Sequence, residues 1–67
     1  MSDEHLLIEQ LGEVEARITQ YQMLLDQSDD VVELSYYEGT IEVMKEHQKR
    51  LEQALEDYRY KFSPFLN

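Results

Sequence analysis

The sequence predicts an all-α protein, a coiled-coil-like antiparallel hairpin of two helices that dimerises into a four-helix bundle. Three observations predict it. Leu34, Tyr37, Ile41, Met44, Gln48, Leu51, Leu55, Tyr58, Phe62 and Phe65 follow one another at alternating spacings of 3 and 4, the a/d seam of a long helix packing on other helices. Leu7, Leu11, Val14, Ile18, Tyr21 and Leu25 make a second unbroken seam at spacings of 4 and 3. Between the seams, Asp26-Gln27-Ser28-Asp29-Asp30 breaks the period with small polar residues that favour turns and helix caps.

Taken in order, Ser2 is a plausible N-cap for the first helix, and Asp3 and Glu4 sit in a first turn where the helix dipole favours acids. This helix is expected over about 3–27. Glu13 and Arg17 are spaced for a favourable outer pair. Gly12 lies beside the seam, where it either admits a close neighbour or is tolerated on the surface, at a cost of up to about 1 kcal/mol relative to Ala. The turn is expected at 28–30. Asp30-Val31-Val32-Glu33 reads as a capping box, and Ser28 is the other cap candidate. The second helix then runs over about 30–62, with outer pairs Glu46–Arg50 and Asp57–Lys61, until Ser63-Pro64 stops it. Residues 63–67 form a tail, and the whole chain 1–67 is one hairpin domain.

Gly39 tests this outline. Glu38-Gly39-Thr40 could split the second helix and let Thr40 cap a third. The seam phase passes through Gly39 unshifted, however, and this favours a continuous or gently kinked helix.

Two antiparallel registers suit the seams. One faces Tyr21 with Leu34 and Leu11 with Met44; the other slides the second helix by a heptad, and the first suits the short turn better. In either, the second helix, about 48 Å long against about 37 Å for the first, carries Tyr58, Phe62 and Phe65 beyond the start of helix 1. Leu51, Leu55, Tyr58, Phe62 and Phe65 are therefore the expected oligomer interface. A fainter stripe, Val32, Tyr36, Val43, His47 and Ala54, widens the apolar face of helix 2, as packing against more than one neighbour requires.

Composition narrows the function. A chain of 67 residues buries a thin core and usually needs a disulfide, a metal or another protein surface to stabilise it. With no Cys, disulfides and thiolate metal sites are ruled out. The acidic start, Met1-Ser2-Asp3-Glu4-His5, does not resemble a signal peptide, and no stretch approaches the roughly 20 apolar residues of a membrane span. A cytoplasmic protein with neither a membrane nor a nucleic-acid partner is expected. The net charge is −9, and it is uneven: residues 1–44 hold eleven acids and one base, residues 45–67 four acids and five bases. Phosphate contacts need basic clusters, so direct nucleic-acid binding is disfavoured.

Catalytic chemistry finds no support. His5 and His47 belong to neither a Glu-x-x-His nor a His-Glu-x-x-His pattern. His5 with Glu9 has spacing suited to a weak surface metal site, a common coincidence on helices. No nucleophile–base pair or phosphate loop is recognisable. No catalytic residue, cofactor or metal is expected, and the chain reads as a non-enzyme. Gln48, alone and polar on the second seam, reads as a determinant of register and oligomeric state.

The expected function is a small acidic protein–protein interaction module, a regulatory inhibitor or adaptor, that self-associates as a homodimer or tetramer and binds another protein. Candidate contacts to that partner are Tyr36 and Tyr60, aromatics off the seams, and the acids Glu9, Glu13, Asp29 and Asp30. Two alternatives remain open: an acidic nucleic-acid mimic that blocks a DNA-binding protein, and a structural subunit of a larger assembly. The bases Lys45, Lys49 and Arg50 argue against the mimic.

Overall fold

The computed structural model describes residues 3–61 and contains two α-helices, α1 (Asp3–Gln27) and α2 (Val31–Lys61), packed against each other. Phe62 and Phe65 of the expected interface, the Ser63-Pro64 stop and the Ser2 cap lie outside the described residues.

The side chains that leave solvent are those of the two seams. Val14, Ile18, Ile41 and Leu51 are buried, and Leu7, Leu11, Tyr21, Leu25 and Met44 pack partly buried against them. Every seam position between Leu7 and Tyr58 is at least half-buried, and among the described residues no polar or charged one is fully buried. A 3.6-residue period keeps one stripe of each helix facing the other, so apolar burial follows directly from the spacing.

The turn is built by capping. Asp30 is the N-cap of α2: its Oδ1 accepts the backbone N–H of Val32 at 2.8 Å, and its carbonyl accepts the N–H of Leu34 at 2.9 Å. The expected capping box closes differently. Glu33 does not reach back to the Asp30 amide; its Oε2 accepts the Ser28 hydroxyl at 2.8 Å, and the Ser28 oxygen accepts the Asp30 N–H at 3.4 Å. Ser28 thus stands between the two members of the box, and its own N–H closes the end of α1 on the Leu25 carbonyl at 3.3 Å. Both cap candidates are used, in one network.

α2 runs unbroken through Gly39, which has no left-handed backbone. Thr40 does not cap a third helix. Its hydroxyl donates to the Tyr36 carbonyl one turn back, at 2.8 Å, a bond that requires the helix to continue.

The preferred register is not the one adopted. Tyr21 meets Tyr37 rather than Leu34, with ring centroids 5.9 Å apart. Further from the turn, Gln48 Nε2 donates to Glu15 Oε1 at 3.5 Å, and Arg59 Nε lies 3.9 Å from Glu4 Oε2. These contacts displace α2 toward the slid alternative. The cause is the turn: α1 continues to Gln27 and the chain reverses about Asp29, later than the Tyr21–Leu34 pairing allows. As a consequence Tyr58 does not overhang. It is half-buried beside the first turn of α1, where Arg59 meets Glu4.

The outer pairs expected at Glu13–Arg17 and Glu46–Arg50 do not close to ion-pair distance among the described residues. On an exposed helix face, the side-chain entropy lost in holding such a pair offsets its small Coulomb gain. Asp57 accepts the Gln53 amide at 3.0 Å.

The hairpin is a rod of 52 × 19 × 14 Å with a radius of gyration of 15.7 Å, where a compact chain of this length would have about 11 Å. Its exposed surface is 5602 Å², against about 4500 Å² expected for a folded monomer of this mass.

Candidate interaction surface

The hairpin has two unlike sides, and helical phase assigns residues to them. On one side, Gln22, Glu38, Glu42 and Lys45 border a shallow cleft near the turn, and Glu15, Glu52, Glu56 and Arg59 border another toward the open end. The Gln48–Glu15 hydrogen bond and the Arg59–Glu4 ion pair cross between the helices on this side. It is a charged, solvated flank.

The opposite flank of α2 is apolar along its first half. At 100° per residue, Val32, Tyr36, Gly39 and Val43 fall in one stripe, turned away from the charged side. Val32 is 76%, Tyr36 62% and Val43 66% exposed. Ser35, Tyr36, Gly39, Thr40 and Val43 line a shallow open groove. Its floor is Gly39, where an added Cβ would meet no atom within 4 Å. Tyr36 forms one wall, held edge-on against the seam residue Tyr37 with centroids 5.7 Å apart. Leu24 of α1 lies on the same side by phase and is also exposed. Four exposed apolar side chains and a bare glycine backbone thus gather at the turn end of one side.

The expected interface residues fall elsewhere. Leu51 is buried, and Leu55 and Tyr58 are half-buried, all in the hairpin's own seam. They have little surface left for a second chain. Gln48 is half-buried at the seam's edge rather than enclosed, with Glu15 as its partner. Of the partner-binding candidates, Tyr36 is in the apolar stripe and Tyr60 is exposed near the far end of α2. Glu9 and Glu13 are exposed on α1, about 25 Å along the rod from the exposed turn acids Asp29 and Asp30. The six candidates therefore form no single site. Of the second stripe, Val32, Tyr36 and Val43 join the groove, while His47 and Ala54 continue it as exposed positions beyond.

Gly39 and Leu24 are the surface residues that heptad spacing did not reveal. The signal for Gly39 is in the sequence: Val32–Tyr36–Gly39–Val43 is itself a 4, 3, 4 series, masked because glycine carries no hydropathy signal. Leu24 becomes visible only when both helices are set side by side.

Among the described residues, no three His, Asp or Glu side chains gather to hold a metal ion, and no helix is long and apolar enough to cross a membrane. The fold and surface define the class: a helical hairpin with one charged side and one side bearing an apolar patch. No protein-family model matches the chain, and no curated protein or solved structure shows significant similarity to it.

Proposed function

We propose that the protein is a non-enzymatic protein–protein interaction module, an adaptor or inhibitor that works as a self-associated helical bundle. The observation that carries this reading is the exposed stripe Val32, Tyr36 and Val43 on a hairpin whose own seam is already filled. Isolated exposed apolar residues need no explanation, but a contiguous patch flanked by polar residues is the usual mark of a protein-binding surface. Self-association covers the patch. It also supplies the second layer of helices that a thin two-helix core lacks.

The partner site in this reading is the surface that stays open after association: the acidic residues Glu9 and Glu13 of α1, with Tyr60 at the open end. Acidic faces attract basic partners and keep the module away from nucleic acid. The reading is tested by using the full chain as bait beside a Glu9→Lys/Glu13→Lys bait and a Tyr60→Ala bait, each checked for helicity by circular dichroism. The expected result is a defined protein retained by the native chain and lost with one of these variants. A bound set identical for all three baits would contradict the assigned partner face. Binding that required a DNA-binding protein and was competed by DNA would favour the mimic instead.

A further inference from the structure

The apolar side of α2 has a pattern that selects its occupant. Resting on the self-association proposed above, we infer that a second copy of this chain docks there, with the two α2 helices antiparallel and crossing at Gly39 and Thr40. Reversed about that point, the stripe is complementary to itself. Tyr36 of one copy lies against Val43 of the other, and Val32 lies against His47. At the ends, Asp29 and Asp30 come to Arg50, which shares the phase of the stripe. All seven of these residues are exposed in the hairpin, and Arg50 is not paired with an acid among the described residues. Parallel pairing would set the acids of one copy on those of the other, and the bases likewise. Unlike charges meet only in the antiparallel arrangement. Each patch serves both copies alike, as an isologous two-fold interface requires.

Geometry and area agree with this occupant. Gly39 has open space above it, so the helix axes can approach to about 8 Å, the near end of the usual range. Leu24 is on the same side by phase, one turn beyond Tyr21, which meets Tyr37. By that pairing it lies between the crossing and the turn, level with about Leu34. The hairpin's exposed area of 5602 Å² exceeds that of a compact monomer by roughly 1100 Å². A standard interface covers about 800 Å² per partner. The two hairpins overlap at their turn ends, leaving the charged flank, Glu9, Glu13 and the open ends uncovered.

The absence of Cys allows a direct test with single introduced thiols in the full chain. At a two-fold crossing of two helices about 8 Å apart, facing Cα atoms come within the roughly 4.4–6.8 Å that a disulfide spans. Gly39→Cys is therefore expected to oxidise to a covalent dimer roughly 10-fold or more faster than Gln22→Cys on the charged side, because association concentrates the two thiols. Val32→Cys alone should not cross-link, but mixed with His47→Cys it should give the mixed dimer. Circular dichroism confirms that each variant is helical, and sedimentation equilibrium on the native chain runs in parallel. If the native chain dimerises but Gly39→Cys oxidises no faster than Gln22→Cys, the docking face is wrong while self-association stands. A Val32→Cys homodimer that forms faster than the Gly39→Cys one means parallel helices and overturns the proposed pairing. A native chain that stays monomeric at every concentration overturns both.

Discussion

Replacing Gly39 with alanine separates the helix from the surface it presents. Gly39 is in the interior of α2, in ordinary helical backbone, and an alanine Cβ there would meet nothing within 4 Å. Because the methyl group touches nothing inside the hairpin, the effect reduces to helix propensity, about 0.8–1.0 kcal/mol in favour of alanine. For a domain of this size that corresponds to a rise in melting temperature of about 4–8 °C. Gly12→Ala is the internal control, because Gly12 also is helical with open space around its Cα. Urea denaturation followed by circular dichroism, in a dilute sample, should show the same gain for both. In a concentrated sample the two should diverge: the Gly39→Ala gain shrinks, because the methyl group holds a second α2 slightly further off and weakens the dimer without preventing it, while the Gly12→Ala gain persists. A loss of stability on Gly39→Ala in dilute solution would refute the reasoning, since it would require a strained or broken helix at this position. Equal gains at every concentration would remove Gly39 from the interface.

Substitutions at three further positions test other parts of the structure. Ile41→Ala removes one of the four buried side chains and should cost about 2–4 kcal/mol, enough to abolish most of the helical circular dichroism signal of the isolated chain; a loss below about 1 kcal/mol would mean that the seam is not the core. Asp30→Ala deletes the cap on the Val32 N–H and should cost about 1 kcal/mol, while Asp30→Asn should retain most of the stability; equal losses would show that the charge, not the hydrogen bond, matters. Gln48→Leu exchanges a long, half-exposed hydrogen bond to Glu15 for apolar packing on the seam. It should raise the melting temperature by a few degrees, with the oligomeric state seen by sedimentation velocity unchanged, because Gln48 bonds Glu15 on the charged flank, away from the apolar stripe. A lower melting temperature would contradict the assignment of Gln48 as a specificity element.

The helices, their limits and their buried stripes were legible in the sequence because they depend on local signals. Heptad spacing placed all the seam residues from Leu7 to Tyr58, and the polar run around Ser28 and Asp30 marked the turn. The unbroken phase across Gly39 indicated one helix where composition alone suggested two. Register was harder. A turn at 28–30 reverses the chain about Asp29 and sets Tyr21 against Tyr37, whereas facing Tyr21 with Leu34 needs a reversal nearer Gln27, so the expected turn and the preferred register did not agree. The register adopted brings Tyr58 beside the first turn of α1, where Arg59 meets Glu4, so an overhang inferred from helix length disappears. The exposed pairs Glu13–Arg17 and Glu46–Arg50 illustrate another limit: correct spacing permits an ion pair without making it stable. As for the surface, the stripe of Val32, Tyr36 and Val43 was visible as a periodicity. Its sidedness was not, because it depends on which flanks of two helices share a face, and that is a property of their packing.

The central claim is that the filled hairpin still needs a second copy over its apolar side. Sedimentation equilibrium on the full chain, over a wide concentration range and repeated with Val43→Lys, tests it most directly. The native chain is expected to be a reversible dimer, with a dissociation constant raised roughly 30-fold or more by Val43→Lys, the scale of losing a residue at an interface centre, and with helicity retained. A helical native chain that remains monomeric throughout would contradict the account, as would a dimer whose strength is indifferent to Val43.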